Sequence, residues 1–295
     1  MSKPDIRPYS PDDLKSGRKI ALQAYPLAAC AGVAWSIENA QKTMAAEGIV
    51  PGGARKLWGV GTLVNNNLVV EGLRRQGMVF VEKPEEVPLG EVAMISAHGL
   101  SYPDRDVLAA RGLKVVDSTC PLVEVAHVRR DRHIAEASEE GLRPKVLYIC
   151  KEDDLIKGHK EVVGFIKSAP DVVVPITSPD DINKLVAEPN TSYAVDTQTT
   201  LNIQEASKWI ELIKEKVPGI KIPPEGDVCY ATKNRQSALR AVLALNPDLM
   251  VAFGSEISSN TKQLKKIAEA AGVQTHLLET ADLLTPQIVE GKKLV

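Results

Sequence analysis

Neither an excess of basic residues nor a long apolar run is found in this chain. Its 295 residues hold 36 Lys and Arg against 38 Asp and Glu, a formal net charge of -2. That balance argues against a nucleic-acid-binding surface, and no polybasic cluster points to a membrane. The longest apolar runs, such as VLYIC and LMVAF, are strand-sized, whereas a helix crossing a bilayer needs about 20 apolar residues. The first twenty residues, MSKPDIRPYSPDDLKSGRKI, lack a secretory apolar core and carry acidic residues. Neither a signal peptide nor a transit peptide is expected, and a cytoplasmic location follows. Cysteine is scarce: there are four, widely spaced. Such spacing argues against a disulfide framework and for metal binding or catalysis. No low-complexity tract appears.

What is present is ordinary globular composition, with 44% apolar and 25% charged residues. The length suits one large domain or two to three small ones. Apolar β-branched runs alternate with helix-period segments almost throughout. The strand candidates are KIALQAY, KLWGV, MVFV, VAMISAH, LKVVDS, KVLYIC, DVVVPI, SYAVDT, DLMVAFG and THLLE. Helical patterns lie near 31–47, 66–76, 103–111, 121–140, 159–168, 178–187, 202–216, 232–245 and 258–271. This alternation predicts an α/β protein with mainly parallel sheets covered by helices on both faces. Ser178-Pro179-Asp180 and Asn202 read as helix starts. Pro218 and the Pro223-Pro224-Glu225-Gly226 stretch mark a boundary before the last third.

Three cysteines stand in three different short motifs: Cys30 in AACAGV, Cys120 in DSTCPLV and Cys229 in DVCYAT. They are 90 and 109 residues apart, and each precedes a helix-like pattern. Their spacing over about ten strand–helix units suggests three small α/β units around one centre. We expect an N-terminal extension over 1–17, a first unit over 32–119, a second over 120–226, and a third over 227–295 to which 18–31 contributes. Three converging thiolates are one short of a closed four-cysteine site, so a metal held there keeps an open position for substrate. Cys150 ends the run KVLYIC and reads as a buried, inert thiol.

Polar motifs fall where strands turn into helices. SAHGLS places His98 at a strand end, and KGHKEVVG places His159 and Glu161 at a helix start. DTQTTLN places Thr199 and Thr200 after SYAVDT, and GSEISSN places Ser258, Ser259 and Asn260 at another helix start. Ligands of α/β sheets bind at the carboxyl ends of strands, and helix N-termini are ready anion sites. Two histidines, hydroxyls and an amide, with little Lys or Arg among them, suit a buried phosphate or diphosphate. A carboxylic acid nearby could relay a proton. Singly, each motif has a plainer reading, such as an N-cap for SSN or a structural role for a strand-end histidine. His127, His133 and His276 have no partner motif and read as structural or exposed.

In this order, CAGV, SAHGLS, DSTCPLV, GHKEVVG, QTTL, DVCYAT with NRQ, and GSEISSN resemble the LytB/IspH family of 4-hydroxy-3-methylbut-2-enyl diphosphate reductases, from about Lys19 to Val295. The resemblance implies three α/β units arranged as a trefoil around an iron–sulfur cluster. It implies Cys30, Cys120 and Cys229 as ligands of a 4Fe–4S cluster whose fourth iron has no protein ligand and faces the substrate. Such an iron is readily lost, so isolation in a 3Fe–4S form is expected. It implies His98, His159, Ser258, Ser259 and Asn260 as diphosphate-binding residues, Glu161 as the proton-delivering acid and Thr199 as the hydroxyl beside it, with Thr200 adjoining. His159, two residues from the acid, is expected to be catalytic as well. The implied reaction is a two-electron reductive dehydroxylation fed by ferredoxin or flavodoxin, with no nucleic acid or membrane partner.

The chain departs from the family pattern in several places. Leu63-Val64-Asn65-Asn66 stands where the family usually reads Ile-Val-His-Asn, so Asn65 replaces a diphosphate-contacting histidine. Ala29, Trp35 and Ile257 stand for a usual phenylalanine, arginine and asparagine. The sequence ends at GKKLV, where the family enters a final strand and a Gly-Ala-Ser segment that contributes a serine. A weakened anion site is therefore expected. Two other readings stand beside the reductase: a diverged cluster enzyme that dehydroxylates or dehydrates a different small substrate, and a non-catalytic cluster-binding protein.

Overall fold

The computed structural model describes residue 12 and residues 19–25, 29–223 and 228–295. The 1–17 extension, apart from Asp12, lies outside the described residues, as do Pro224, Glu225 and Gly226 of the proline boundary. Packing divides the chain into two compact units, Ala28–Thr232 and Met1–Leu27 with Lys233–Val295. Every strand pairing among the described residues is parallel, as the alternation of runs predicts.

The larger unit holds two sheets. The first comprises β1 (Leu57–Val60), β2 (Met78–Val81), β3 (Val92–Ile95) and β4 (Lys114–Asp117), in the order β2-β1-β3-β4. Strand β3 is buried along its whole length, and its alternate residues serve two cores. Val92 and Met94 pack with Ala40 and Met44 of α1 (Ala31–Ala46) and Leu73 of α2 (Asn67–Gln76). Ala93 and Ile95 pack on the other face with Leu108 of α3 (Tyr102–Ala110). A parallel strand covered on both faces needs such a continuous apolar run.

The second sheet is β5 (Arg143–Ile149), β6 (Val173–Ile176) and β7 (Thr191–Thr197), in the order β6-β5-β7. Its central strand divides the same way. Val146 and Tyr148 face Ala126 of α4 (Pro121–Glu139) and Val162 and Phe165 of α6 (Lys160–Lys167). Leu147 and Ile149 face Ile182 of α7 (Pro179–Asn183) and Ile213 of α8 (Ile203–Lys216). The short helix α5 (Glu152–Ile156) was not expected, because five residues are too few to show a 3.6-residue period. Helix α7 ends earlier than the pattern over 178–187 predicts, though its start is a capping box between Ser178 and Asp181.

A buried network joins α3, α4 and α6. The Arg130 guanidinium donates to the Phe165 carbonyl at 3.0 Å and lies over the rings of Tyr102 and Phe165, both 5.0 Å away. It also meets His127 Nδ1 at 3.2 Å. Burial, with the Arg130 charge next, pushes His127 down to about 4. His127 and His133 are buried, in keeping with structural roles.

The smaller unit pairs β8 (Met250–Phe253) with β9 (Thr275–Leu278) beside α10 (Ser259–Ala270). Helix α9 (Tyr230–Leu243) begins in the larger unit and continues into the smaller. The run KIALQAY does not form the strand expected of it. It makes only an isolated parallel bridge between Ile20 and Leu294, with Ile20 N–H donating to Lys293 O at 2.8 Å and Leu22 N–H to Val295 O at 2.7 Å. The contact is too short to form a ladder, and Tyr25 points to solvent. Among the described residues, no helix is long and apolar enough to cross a membrane.

Candidate functional site

The site residues of the larger unit lie just beyond the carboxyl ends of its parallel strands, where α/β sheets place ligands. Asn65 follows β1, His98 follows β3, Cys120 follows β4, His159 and Glu161 follow β5 through α5, and Thr199 and Thr200 follow β7. Backbone hydrogen bonds carry the order of the sheets into these loops. Ala97 N–H donates to Leu63 O at 3.2 Å, and Cys120 N–H to Ala97 O at 3.0 Å. In the second sheet Gln198 N–H donates to Ile149 O at 2.9 Å, and Cys229 N–H to Thr199 O at 3.0 Å. Gly99 makes the turn after His98 with a φ of +78°, a conformation that disfavours any side chain.

All three motif cysteines are free, partly buried and placed at helix starts. Cys30 caps α1, with Sγ accepting from Val33 N–H at 3.4 Å. Cys120 caps α4 ahead of Pro121, and Cys229 stands immediately before α9. Burial pushes the Cys120 thiol up; backbone N–H groups of Leu122 and Val123 oppose this, and the charges of Cys229 and Cys30 add to it. Burial likewise pushes Cys229 up, opposed by the N–H groups of Ala231 and Thr232 and reinforced by Cys30 and Glu161. The thiols are therefore near enough to feel one another's charge, and each sits where a helix dipole favours an anion.

The glycine of CAGV explains how two of them approach. A Cβ placed on Gly32 would lie 2.7 Å from Cys120 Sγ. Helix α1 therefore needs a bare backbone where the second thiol crosses it. Gly32→Ala is expected to displace Cys120 and lower the iron retained after reconstitution, while raising the intrinsic helix propensity of α1 by about 1 kcal/mol. Iron content and circular dichroism of the variant check this; undiminished iron would show that the approach is not needed.

Cys150 is buried, and burial, followed by the charges of Asp154, Glu161 and Asp181, pushes it up to about 12. Its thiol stays protonated, as expected of an inert core residue.

A second cluster surrounds Glu161, a carboxyl only 6% exposed on the first turn of α6. Its Oε1 accepts Thr199 N–H at 2.7 Å, and its Oε2 accepts the Thr199 hydroxyl at 3.0 Å. His159 caps the same helix, and its Nε2 lies 3.0 Å from Asn65 Nδ2. His98 meets the His159 ring edge-on, with centroids 5.2 Å apart. Burial, then the neighbouring His159, pushes His98 down to about 3, against a hydrogen bond to the Thr62 backbone.

Two residues beyond those singled out in the motifs set the geometry. Gln198 is fully buried; its amide donates to Asp154 Oδ2 at 2.7 Å and to Thr200 Oγ1 at 3.2 Å, and accepts from Lys151 N–H at 3.1 Å. This clamp ties the Thr199–Thr200 turn to the loop that carries His159. Gln198 was visible as a letter of QTT; nothing in the sequence signals Asp154.

In the smaller unit, Ser258 caps α10 by accepting from Thr261 N–H at 3.3 Å. Ser259 is buried, and Asn260 Oδ1 is buried with no hydrogen-bond partner.

The fold and site together define a parallel α/β protein with three thiols at helix starts, a buried acid bound to a threonine, and two histidines in ring contact. A family model described as LytB protein matches residues 21–295. A 4-hydroxy-3-methylbut-2-enyl diphosphate reductase 2 of Burkholderia mallei is 35% identical over 274 residues, covering 93% of this chain and 78% of that protein. A 4-hydroxy-3-methylbut-2-enyl diphosphate reductase of Rhodococcus opacus is 35% identical over 280 residues, covering 95% and 78%. Among solved structures, the E-1-hydroxy-2-methyl-but-2-enyl-4-diphosphate reductase from Plasmodium falciparum superposes with a TM-score of 0.82 at 30% identity, covering 94% of this chain and 81% of that one. The chain belongs to the LytB family.

Proposed function

We propose that this chain is an iron–sulfur oxidoreductase that removes the hydroxyl of 4-hydroxy-3-methylbut-2-enyl diphosphate, giving isopentenyl and dimethylallyl diphosphates. The observation that carries this is the Glu161–Thr199 pair, held within electrostatic reach of Cys229 in a chain of this family. The net change is R–OH + 2e⁻ + 2H⁺ → R–H + H₂O, with the electrons drawn from a ferredoxin or flavodoxin.

The donor set suits an iron–sulfur cluster better than a single ion. Among the described residues, no three His, Cys, Asp or Glu side chains gather closely enough to hold one metal ion. A lone tetrahedral ion draws its thiolates to about 2.3 Å, whereas a cluster distributes them over several irons. The bare backbone that Gly32 offers to Cys120 Sγ fits a thiolate set at this spot. Cys30, Cys120 and Cys229 would hold a 4Fe–4S cluster and leave one iron without a protein ligand. When bound, that group supplies electrons and Lewis acidity at the substrate hydroxyl.

The remaining work belongs to the chain. Glu161 gives up a proton as the C–O bond breaks, and the Thr199 hydroxyl, 3.0 Å from Oε2, donates a hydrogen bond that steadies the carboxylate left behind. Burial of this pair keeps water from competing for the acid. His98, His159, Asn65 and Thr200 hold the diphosphate. Ser258, Ser259 and Asn260 of the smaller unit offer hydroxyl and amide groups to an anion at the positive end of α10.

The test is anaerobic protein reconstituted with iron and sulfide, assayed for turnover with a reduced dye while Mössbauer spectra follow the cluster during substrate titration. Turnover with a change at one unique iron is expected. A complete cluster that ignores this substrate would redirect the assignment to a different hydroxylated allylic compound.

A further inference from the structure

Asn65 and His159 form an arrangement that the composition alone does not reveal. Asn65 Nδ2 lies 3.0 Å from His159 Nε2. An amide NH₂ only donates, so Nε2 accepts and the ring proton sits on Nδ1. Nδ1 is buried and has no hydrogen-bond partner. A buried N–H without an acceptor is costly, which marks it as a donor kept for a ligand.

The cation nearest in sequence does not serve this donor. Lys160 Nζ is bound to the Glu82 carbonyl and to the Glu82 carboxylate, both at 3.0 Å, and its stem lies against Gly61. The His98 ring beside His159 is held neutral by burial.

We propose that Asn65 is a specificity-determining residue: it holds His159 as an Nδ1 donor, so that the ring binds a phosphoryl oxygen through an uncharged hydrogen bond. The proposal rests on the diphosphate reading above. An uncharged donor gains less from each added ligand charge than an ion pair does. Pyrophosphate should therefore exceed inorganic phosphate in affinity by less than it would at an imidazolium.

Two measurements on the cluster-loaded protein test this. Nitrogen-15 NMR of labelled histidine reads the His159 tautomer, and calorimetry reads the affinity for pyrophosphate and for inorganic phosphate. The wild-type ring should carry its proton on Nδ1. Asn65→Leu should mix the tautomers and weaken pyrophosphate binding several-fold. Asn65→His, which can share a proton with His159, should bind pyrophosphate about tenfold more tightly and with stronger salt dependence, as expected when a hydrogen bond becomes charge-assisted. A wild-type ring protonated on Nε2, or an Asn65→Leu variant with unchanged tautomer and affinity, would overturn the proposal alone. Pyrophosphate bound by neither wild type nor Asn65→His, with the ring proton on Nδ1, would overturn it together with the diphosphate reading.

Discussion

Serine at position 30, 120 or 229 is expected to yield a folded protein that retains little iron, whereas Cys150→Ser keeps its full complement. The contrast follows from placement. Cys30 and Cys120 are N-caps and Cys229 directly precedes a helix, so all three thiols sit at positive helix ends and sense one another's charge. Serine is itself a favoured N-cap, so the helices should survive the exchange. A hydroxyl, however, is a poor substitute for the soft thiolate that iron–sulfur clusters use. Cys150 is buried and pushed up to about 12, so it has no thiolate to offer. Iron and sulfide content after anaerobic reconstitution, with thermal melts of each variant, decides the matter. Full iron in any one of the first three would remove that residue from the ligand set.

Glu161→Gln should leave iron content and melting temperature close to wild type and lower turnover by about 10²- to 10⁴-fold, the range for loss of a positioned general acid. Glutamine fills nearly the same volume, and its carbonyl can still accept Thr199 N–H, which now lies 2.7 Å from Oε1. It cannot release a proton to a departing oxygen. Because the residue is only 6% exposed, water would not readily take over the task. A reduced-dye assay under substrate saturation provides the measurement. A variant with unchanged rate would take Glu161 out of the mechanism, and a variant that also loses iron would recast it as a support for the cluster.

The parallel sheets were legible because their strands carry an unmistakable burial pattern. VAMI and VLYI are apolar on both faces, and both lie in sheet interiors with a core on each side. KIALQAY carried a similar apolar signal and failed, since only Ile20 finds a bridge partner there and pairing cannot be read from one segment. The site was legible as motifs in order, less so as geometry. That Gly32 faces Cys120 Sγ depends on two segments that meet only after folding. The Gln198–Asp154 clamp was hidden for the same reason, and α5 was too short to show a period.

The placement of the thiols also bears on synthesis at the ribosome. Cys30 and Cys229 are separated by roughly 200 residues, which at about 5–20 residues per second is on the order of 10–40 s of elongation. For that interval the nascent chain carries its first thiol, and later its second, with no third to complete the set. With Cys30, Cys120 and Cys229 as the proposed ligands, iron–sulfur delivery is expected to be a late event, timed to the emergence of α9 and not to the folding of the first sheet. A stalled or truncated chain lacking Cys229 would leave Cys30 and Cys120 without their third partner and open to oxidation, and would depend on chaperones or proteolysis to keep it from cross-linking with its neighbours.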